Sequence, residues 1–132
     1  MAREFVLRRR VQFHETDAAG LVHFSWFYRY MEEAEHALWR EAGIPIHQPD
    51  TDIGWPRIAA SFDFHRALRF EDEFDVRLTV AGMTTKTIRY SCVLDKDGET
   101  IATGSMTIAC VTRKPTMRAI EIPADVRAKL QP

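Results

Sequence analysis

Residues 5–13 alternate. Phe5, Leu7, Val11 and Phe13 fall on one face, and Val6, Arg8, Arg10 and Gln12 on the other. This predicts a β-strand. Arg9 lands on the apolar face, so that face cannot be dry throughout. The Arg8-Arg9-Arg10 run reads as a solvated strand rather than a phosphate site. Asp17-Ala18-Ala19-Gly20 then has turn composition. From Phe24 the period becomes helical, with Phe24, Phe27, Met31, Ala34, Leu38 and Ala42 three or four residues apart. Gly43 and Pro45 supply the stop. Tyr28, Tyr30 and Trp39 widen the apolar stripe, so this helix wants to be wrapped rather than rested on a surface.

A polar loop follows through Pro56, and the remainder reads as β-structure. Three segments alternate: 58–64, 74–80 and 88–94. Asp97-Gly98 is a hairpin signal before a strand over 100–111. Gly82 lies between two strands and predicts a further turn. Residues 123–130 predict a short terminal helix. Short turns imply antiparallel neighbours. The economical architecture is a single α+β domain over 1–132, a curved antiparallel β-sheet wrapped around one long central helix. Such a sheet leaves an edge strand and an uncovered face, and dimerisation commonly hides both. At least a homodimer is expected.

Composition narrows the classes. The chain has 132 residues, 45% hydrophobic and 28% charged, which excludes collagen-like, coiled-coil and disordered types. A formal net charge of −1 provides no long-range attraction for nucleic acid or anionic lipid. No window is long and apolar enough for a membrane span, and no secretory leader is expected. A cytoplasmic address follows, with Cys92 and Cys110 as reduced, small core residues. His14, His36, His47 and His65 share no metal-ligand spacing, so no metal is expected.

The stretch that carries chemistry runs from Val11 to Phe24. It sets Asp17 at a strand-to-helix junction, followed by a glycine-containing turn and a helix N-terminus. The unpaired N–H groups at that end favour developing negative charge. An acyl carbonyl placed there would have its oxyanion stabilised. Asp17 could attack it or activate water. An Asp in this place is also a common turn or capping residue, and spacing leaves both readings open.

The segment Phe13-x-x-Thr16-Asp17-x-x-Gly20-Leu21-Val22-His23-Phe24 resembles the signature of the 4-hydroxybenzoyl-CoA thioesterase-like family of hotdog-fold acyl-CoA thioesterases. The similarity continues through Tyr28-x-Tyr30-Met31-Glu32-x-Ala34, then Phe64-x-x-Ala67-Leu68-x-x-x-Asp72-x-Phe74-x-Val76, and ends at Gly98-x-x-x-Ala102-x-Gly104. The resemblance implies Asp17 as the catalytic carboxylate and the Phe24 backbone N–H as the group that polarises the thioester carbonyl. It implies Gly20 as the residue that lets the chain turn without crowding the acyl group. Many relatives carry His or Tyr where Phe24 stands. His23, one residue earlier, is a further catalytic candidate or else a histidine packed in the junction. Ala67 replaces a proline common in relatives.

The expected activity is acyl-CoA hydrolysis without a cofactor, because coenzyme A is part of the substrate; an acyl carrier protein is the alternative carrier. The acyl pocket is expected to lie between subunits, lined by Leu21, Val22, Phe27, Tyr28 and Trp55. Arg89, Arg113 and Lys114 are candidates for the coenzyme A phosphates. A homodimer and a homotetramer are equally compatible with the sequence. Glu32, Glu33 and Glu35 are alternative bases on the helix, since another branch of hotdog thioesterases uses a helix carboxylate. Ser25 and Ser61 lack a His/Asp arrangement. Two rivals remain: an enoyl-CoA hydratase using His23 or His65 with Asp17, and a non-catalytic acyl-thioester-binding or assembly module.

Overall fold

The computed structural model describes residues 3–132. Strand β1 is Glu4–Arg10 and helix α1 is Phe24–Glu41. Then come β2 (Ile53–Gly54), β3 (Arg57–Phe64), β4 (Glu73–Met83), β5 (Thr87–Lys96) and β6 (Glu99–Ala109). The chain ends with β7 (Val111–Thr112), β8 (Arg118–Ala119) and α2 (Ala124–Leu130). Five strands form an antiparallel sheet in the order β1-β4-β5-β6-β3, and β2-β7-β8 form a small second sheet. The architecture is α+β, as the alternation predicts.

The inner face of the large sheet is the periodic set read from sequence. Phe74, Val76, Leu78 and Val80 of β4 and Ile88, Tyr90, Cys92 and Leu94 of β5 are all buried. They belong to one core with Phe27, Tyr30, Met31, Ala34 and Leu38 of α1. Ile122, Val126 and Leu130 add the C-terminal segment to the same core. No helix among the described residues is long and apolar enough to cross a membrane. Burial pushes the Cys92 thiol up to about 12 and the Cys110 thiol to about 11, so neither is a ready thiolate.

Several expectations fail locally. β1 stops at Arg10, and Phe13 enters a 3₁₀ turn, Phe13–Glu15, where it is 73% exposed. Gly82 makes no turn. It lies inside β4 at a register shift between Val80 and Gly82, a bulge that reproduces turn composition within a strand. The reversal comes after Met83, where the Thr84 N–H donates to the Thr87 carbonyl at 2.9 Å. The predicted last strand is divided at Cys110 into β6 and β7.

β3 pairs only with β6, which leaves one edge of the sheet open. On this strand Ile58 is 58% exposed, and Phe64 is exposed as well. Gly104 of β6 faces Phe62 of β3. A Cβ at Gly104 would stand 2.7 Å from the Phe62 ring and 2.7 Å from the Ser61 carbonyl oxygen. The glycine is required by this close approach.

Candidate active site

The junction between β1 and α1 is built from backbone hydrogen bonds. The Asp17 N–H donates to the Leu21 carbonyl at 2.7 Å, and the Gly20 N–H donates to the Asp17 carbonyl at 3.0 Å. Gly20 has φ +82°, a left-handed conformation that glycine adopts without steric cost. Thr16 and Val22 form an isolated bridge at the base of this loop. The loop is also tied to the connection between β3 and β4: Val22 N–H donates to the Leu68 carbonyl at 2.8 Å, and Leu21 bridges to Arg69.

Asp17 is held by these amides. Its Oδ1 accepts from Ala19 N–H at 2.9 Å and Leu21 N–H at 3.1 Å. Its Oδ2 has no protein donor among the described residues. The carboxylate is thus both a turn residue and a group with one unspent oxygen.

His23 is the N-cap of α1. Its Nδ1 accepts from the Ser25 N–H at 3.3 Å and lies 2.8 Å from Ser25 Oγ. A backbone N–H can only donate, so the neutral ring carries its proton on Nε2. The His23 N–H donates to the Glu15 carbonyl at 2.9 Å, and the Trp26 N–H donates to the His23 carbonyl at 2.9 Å. The Phe24 N–H, first in the helix, finds no protein acceptor among the described residues.

A cavity of about 510 Å³ opens here. One wall is Asp17, Leu21, Val22, His23, Phe24 and Phe27, and the other is Phe64, His65, Arg66, Ala67 and Leu68. That size falls in the range of small-molecule sites. Phe64 and Phe27 meet edge to face with centroids 5.0 Å apart. His65 Nε2 lies 3.4 Å from Thr103 Oγ1. The His65 and Arg66 N–H groups share the Ile101 carbonyl at 2.9 and 3.1 Å, which pins this wall to β6. Of residues 64–68, the sequence pointed only to His65, as a partner of Asp17 in the hydratase reading; for Phe64, Ala67 and Leu68 the family similarity was the available signal. Phe24, expected in the apolar stripe, is 61% exposed at the cavity.

Other expected residues lie elsewhere in the chain. Gly20 shapes the turn but does not line the cavity, and nothing lies within 4 Å of a Cβ placed on it. Tyr28 packs edge-on against Phe62 and lines a separate groove with Ser25, Arg29, Glu32 and Arg57. Trp55 is a core residue whose ring meets Trp39 at 5.0 Å. Arg113 is spent on the loop before β2, donating from Nη2 to the Thr51 carbonyl at 2.6 Å. Arg89 and Lys114 do not line the cavity either. Chain crossings decided the neighbours of Tyr28, Trp55 and Arg113.

The helix glutamates are also engaged. Glu33 binds Arg9, while Glu32 and Glu35 bind Arg57. Glu35 is fully buried, and burial pushes its carboxyl above the usual range despite the Arg57 guanidinium. Ser25 has His23 beside it at 2.8 Å, but no Asp among the described residues hydrogen-bonds that ring, and Ser25 lines the separate groove. No cluster of metal-ligating side chains occurs among the described residues.

The model of the Thioesterase-like superfamily matches residues 11–130. Among solved structures, a hypothetical protein from Aquifex aeolicus superposes with a TM-score of 0.90 at 30% identity, covering 96% of this chain and 99% of that one. A structure described as BH1999 gentisyl-coenzyme A thioesterase superposes with a TM-score of 0.85 at 30% identity, covering 95% and 98%. A 4-hydroxybenzoyl-CoA thioesterase from Pseudomonas sp. (strain CBS-3) is 22% identical over 135 residues, covering 95% of this chain and 96% of its own.

Proposed function

Because the chain belongs to the thioesterase-like superfamily, we propose that it hydrolyses an acyl-CoA thioester to the free acid and coenzyme A, with Asp17 and the N-terminus of α1 as the reaction centre. The observation that carries this reading is one cavity lined by both Asp17 and Phe24. Among the described residues, a carboxylate oxygen without a protein donor and a helical N–H without a protein acceptor belong to these two residues.

The thioester carbonyl sits at the head of α1, and the Phe24 N–H donates to its oxygen as negative charge develops. Asp17 then serves in one of two ways. As general base it takes a proton from water while the water oxygen adds to the carbonyl carbon. The tetrahedral intermediate breaks its C–S bond, and that proton is passed to the departing thiolate. As nucleophile its own oxygen adds, the C–S bond breaks, and water hydrolyses the resulting mixed anhydride. Acid-quench trapping of an acyl-Asp17 peptide separates the two routes. His23, if it acts, acts through Nε2–H as a donor, since Nδ1 is occupied by the cap.

An aryl or short to medium acyl group fits a wall that contains Phe24, Phe27 and Phe64. The gentisyl and 4-hydroxybenzoyl groups named for two relatives are aryl groups of this kind. No cofactor is required. The open edge of β3 supports a homodimer or homotetramer, which would also complete the acyl pocket. Arg89 and Lys114 remain candidates for phosphate contacts at such a subunit edge. The buried thiols are compatible with a cytoplasmic setting.

The test is free-thiol release from benzoyl-, phenylacetyl- and short- to long-chain acyl-CoAs by wild type and Asp17→Asn. Turnover that falls at least about 100-fold in a folded Asp17→Asn supports the reading. Turnover that survives this substitution overturns the role of Asp17. Absence of turnover on every coenzyme A thioester overturns the carrier, and carrier-protein thioesters are then assayed. Loss of the conjugated enoyl-CoA chromophore without thiol release would make the protein a hydratase.

A further inference from the structure

The Asp17 loop hangs from a partly buried ionic knot that the reaction scheme does not use. Glu15, two residues before Asp17, is fully buried. Its Oε1 accepts from the Gln12 N–H at 2.8 Å, Tyr30 Oη–H at 2.8 Å and Arg9 Nη1 at 3.1 Å, and Arg9 Nη2 donates to its Oε2. Arg9 also binds Glu33, with Nε donating to Oε1 at 2.8 Å, and its guanidinium lies 4.9 Å from the Tyr30 ring centre. The knot therefore ties β1 and two turns of α1 to the residue that introduces the loop. This explains the charge on the apolar face of β1.

The main chain of Glu15 completes the link. Its carbonyl accepts from the His23 N–H at 2.9 Å, joining the start of the Asp17 loop to the helix cap. We propose that Glu15, held by Arg9 and Tyr30, is a positioning residue that sets the Asp17 carboxylate against the N-terminus of α1. The proposal rests on Asp17 being the reacting carboxylate. A charge with no exposure is costly to desolvate, and replacing it with packed apolar groups is often neutral or stabilising, so stability alone is weak grounds for the knot. Geometry is the stronger reason. Displacing a reacting group by about 1 Å can cost on the order of 100-fold in rate.

Glu15→Gln removes the charge with little change in volume, and Tyr30→Phe removes one hydroxyl. Both are compared with wild type and Asp17→Asn for kcat, KM, and the stoichiometry of a non-hydrolysable acyl-CoA thioether. Amide hydrogen exchange is read at Asp17, Leu21 and His23 against Val76 and Leu78 of β4. For Glu15→Gln we expect kcat to fall about 10- to 100-fold, with KM within about threefold and full ligand stoichiometry. Tyr30→Phe should show the same pattern at about 3- to 10-fold. Exchange should quicken at Asp17, Leu21 and His23 while Val76 and Leu78 are unchanged.

The proposal is overturned if both folded variants keep kcat within twofold. It is equally overturned if lost kcat merely tracks lost stoichiometry, or if loop and core amides quicken together. If Glu15→Gln does not fold, Tyr30→Phe decides. If Asp17→Asn retains turnover, it is the active-site reading that has failed, and local exchange at the loop still decides whether Glu15 holds it.

Discussion

The Nδ1 atom of His23 accepts the Ser25 N–H at 3.3 Å, so the first turn of α1 is capped by an imidazole rather than by a hydroxyl or carboxylate. The same ring lines the cavity. The two roles separate by substitution. His23→Asn keeps a capping acceptor, whereas His23→Ala removes it and should cost about 1 kcal/mol of stability. Chemical denaturation of both variants measures the cap. Thiol release by His23→Asn then tests catalysis, and retention of wild-type kcat would confine His23 to capping.

Gly20 has φ +82° and empty space around its missing side chain. The cost of Gly20→Ala is therefore backbone strain alone, about 1–2 kcal/mol. Gly20→Asn should cost less, because Asn tolerates this conformation better. Leu21 N–H holds Asp17 Oδ1, so both variants should lower kcat in the same order as they lower stability.

At Gly104 the reverse holds, with no positive φ but no room. Gly104→Ala should destabilise by about 1–3 kcal/mol through overpacking. The Phe62 ring can turn away, but the Ser61 carbonyl can move only with β3. A Phe62→Ala change in the same chain should therefore recover only part of the loss in midpoint of urea unfolding.

Glu15 and Glu35 should bend the pH dependence of stability in opposite directions. Burial would raise the Glu15 carboxyl, yet hydrogen bonds from Arg9, Gln12 and Tyr30 hold it below the usual range. Its folded value is thus depressed, and its stabilisation is lost as pH falls below the ordinary carboxylate value. Burial raises Glu35, so its contribution is fully present below the ordinary value and lost as pH rises through the folded one. Thermal melts should show that Glu15→Gln flattens the rise in Tm that accompanies increasing pH below about pH 4.5. Glu35→Gln should flatten a fall in Tm above about pH 4.5.

Phe64 meets Phe27 edge to face on the far wall of the cavity. Phe64→Leu keeps an apolar wall but removes the ring. The kcat/KM ratio of benzoyl-CoA to butanoyl-CoA should fall about 3- to 10-fold, the worth of one aromatic contact. An unchanged ratio would remove Phe64 from acyl selection.

By itself the sequence determined the local elements. The inner residues of β4, β5 and α1 follow a period of two or of three to four, and period records which side of a segment is apolar. Asp97-Gly98 specified its hairpin because few residue pairs suit so tight a reversal. The Asp17 turn ahead of a helix was legible for the same local reason. Only the tertiary structure decided what those elements meet. Residues 64–68 became the second wall because Leu68 and Arg69 pair with the Asp17 loop across a long stretch of chain. Trp55 went to the core rather than to the cavity, and Gly82 became a bulge rather than a turn. Arg9 was visible as a misfit on an apolar face, but Glu15, Tyr30 and Glu33 were not visible as its partners. Long-range partners depend on register and crossing geometry, which arise from many weak contacts summed over the whole fold and leave no period in any one segment.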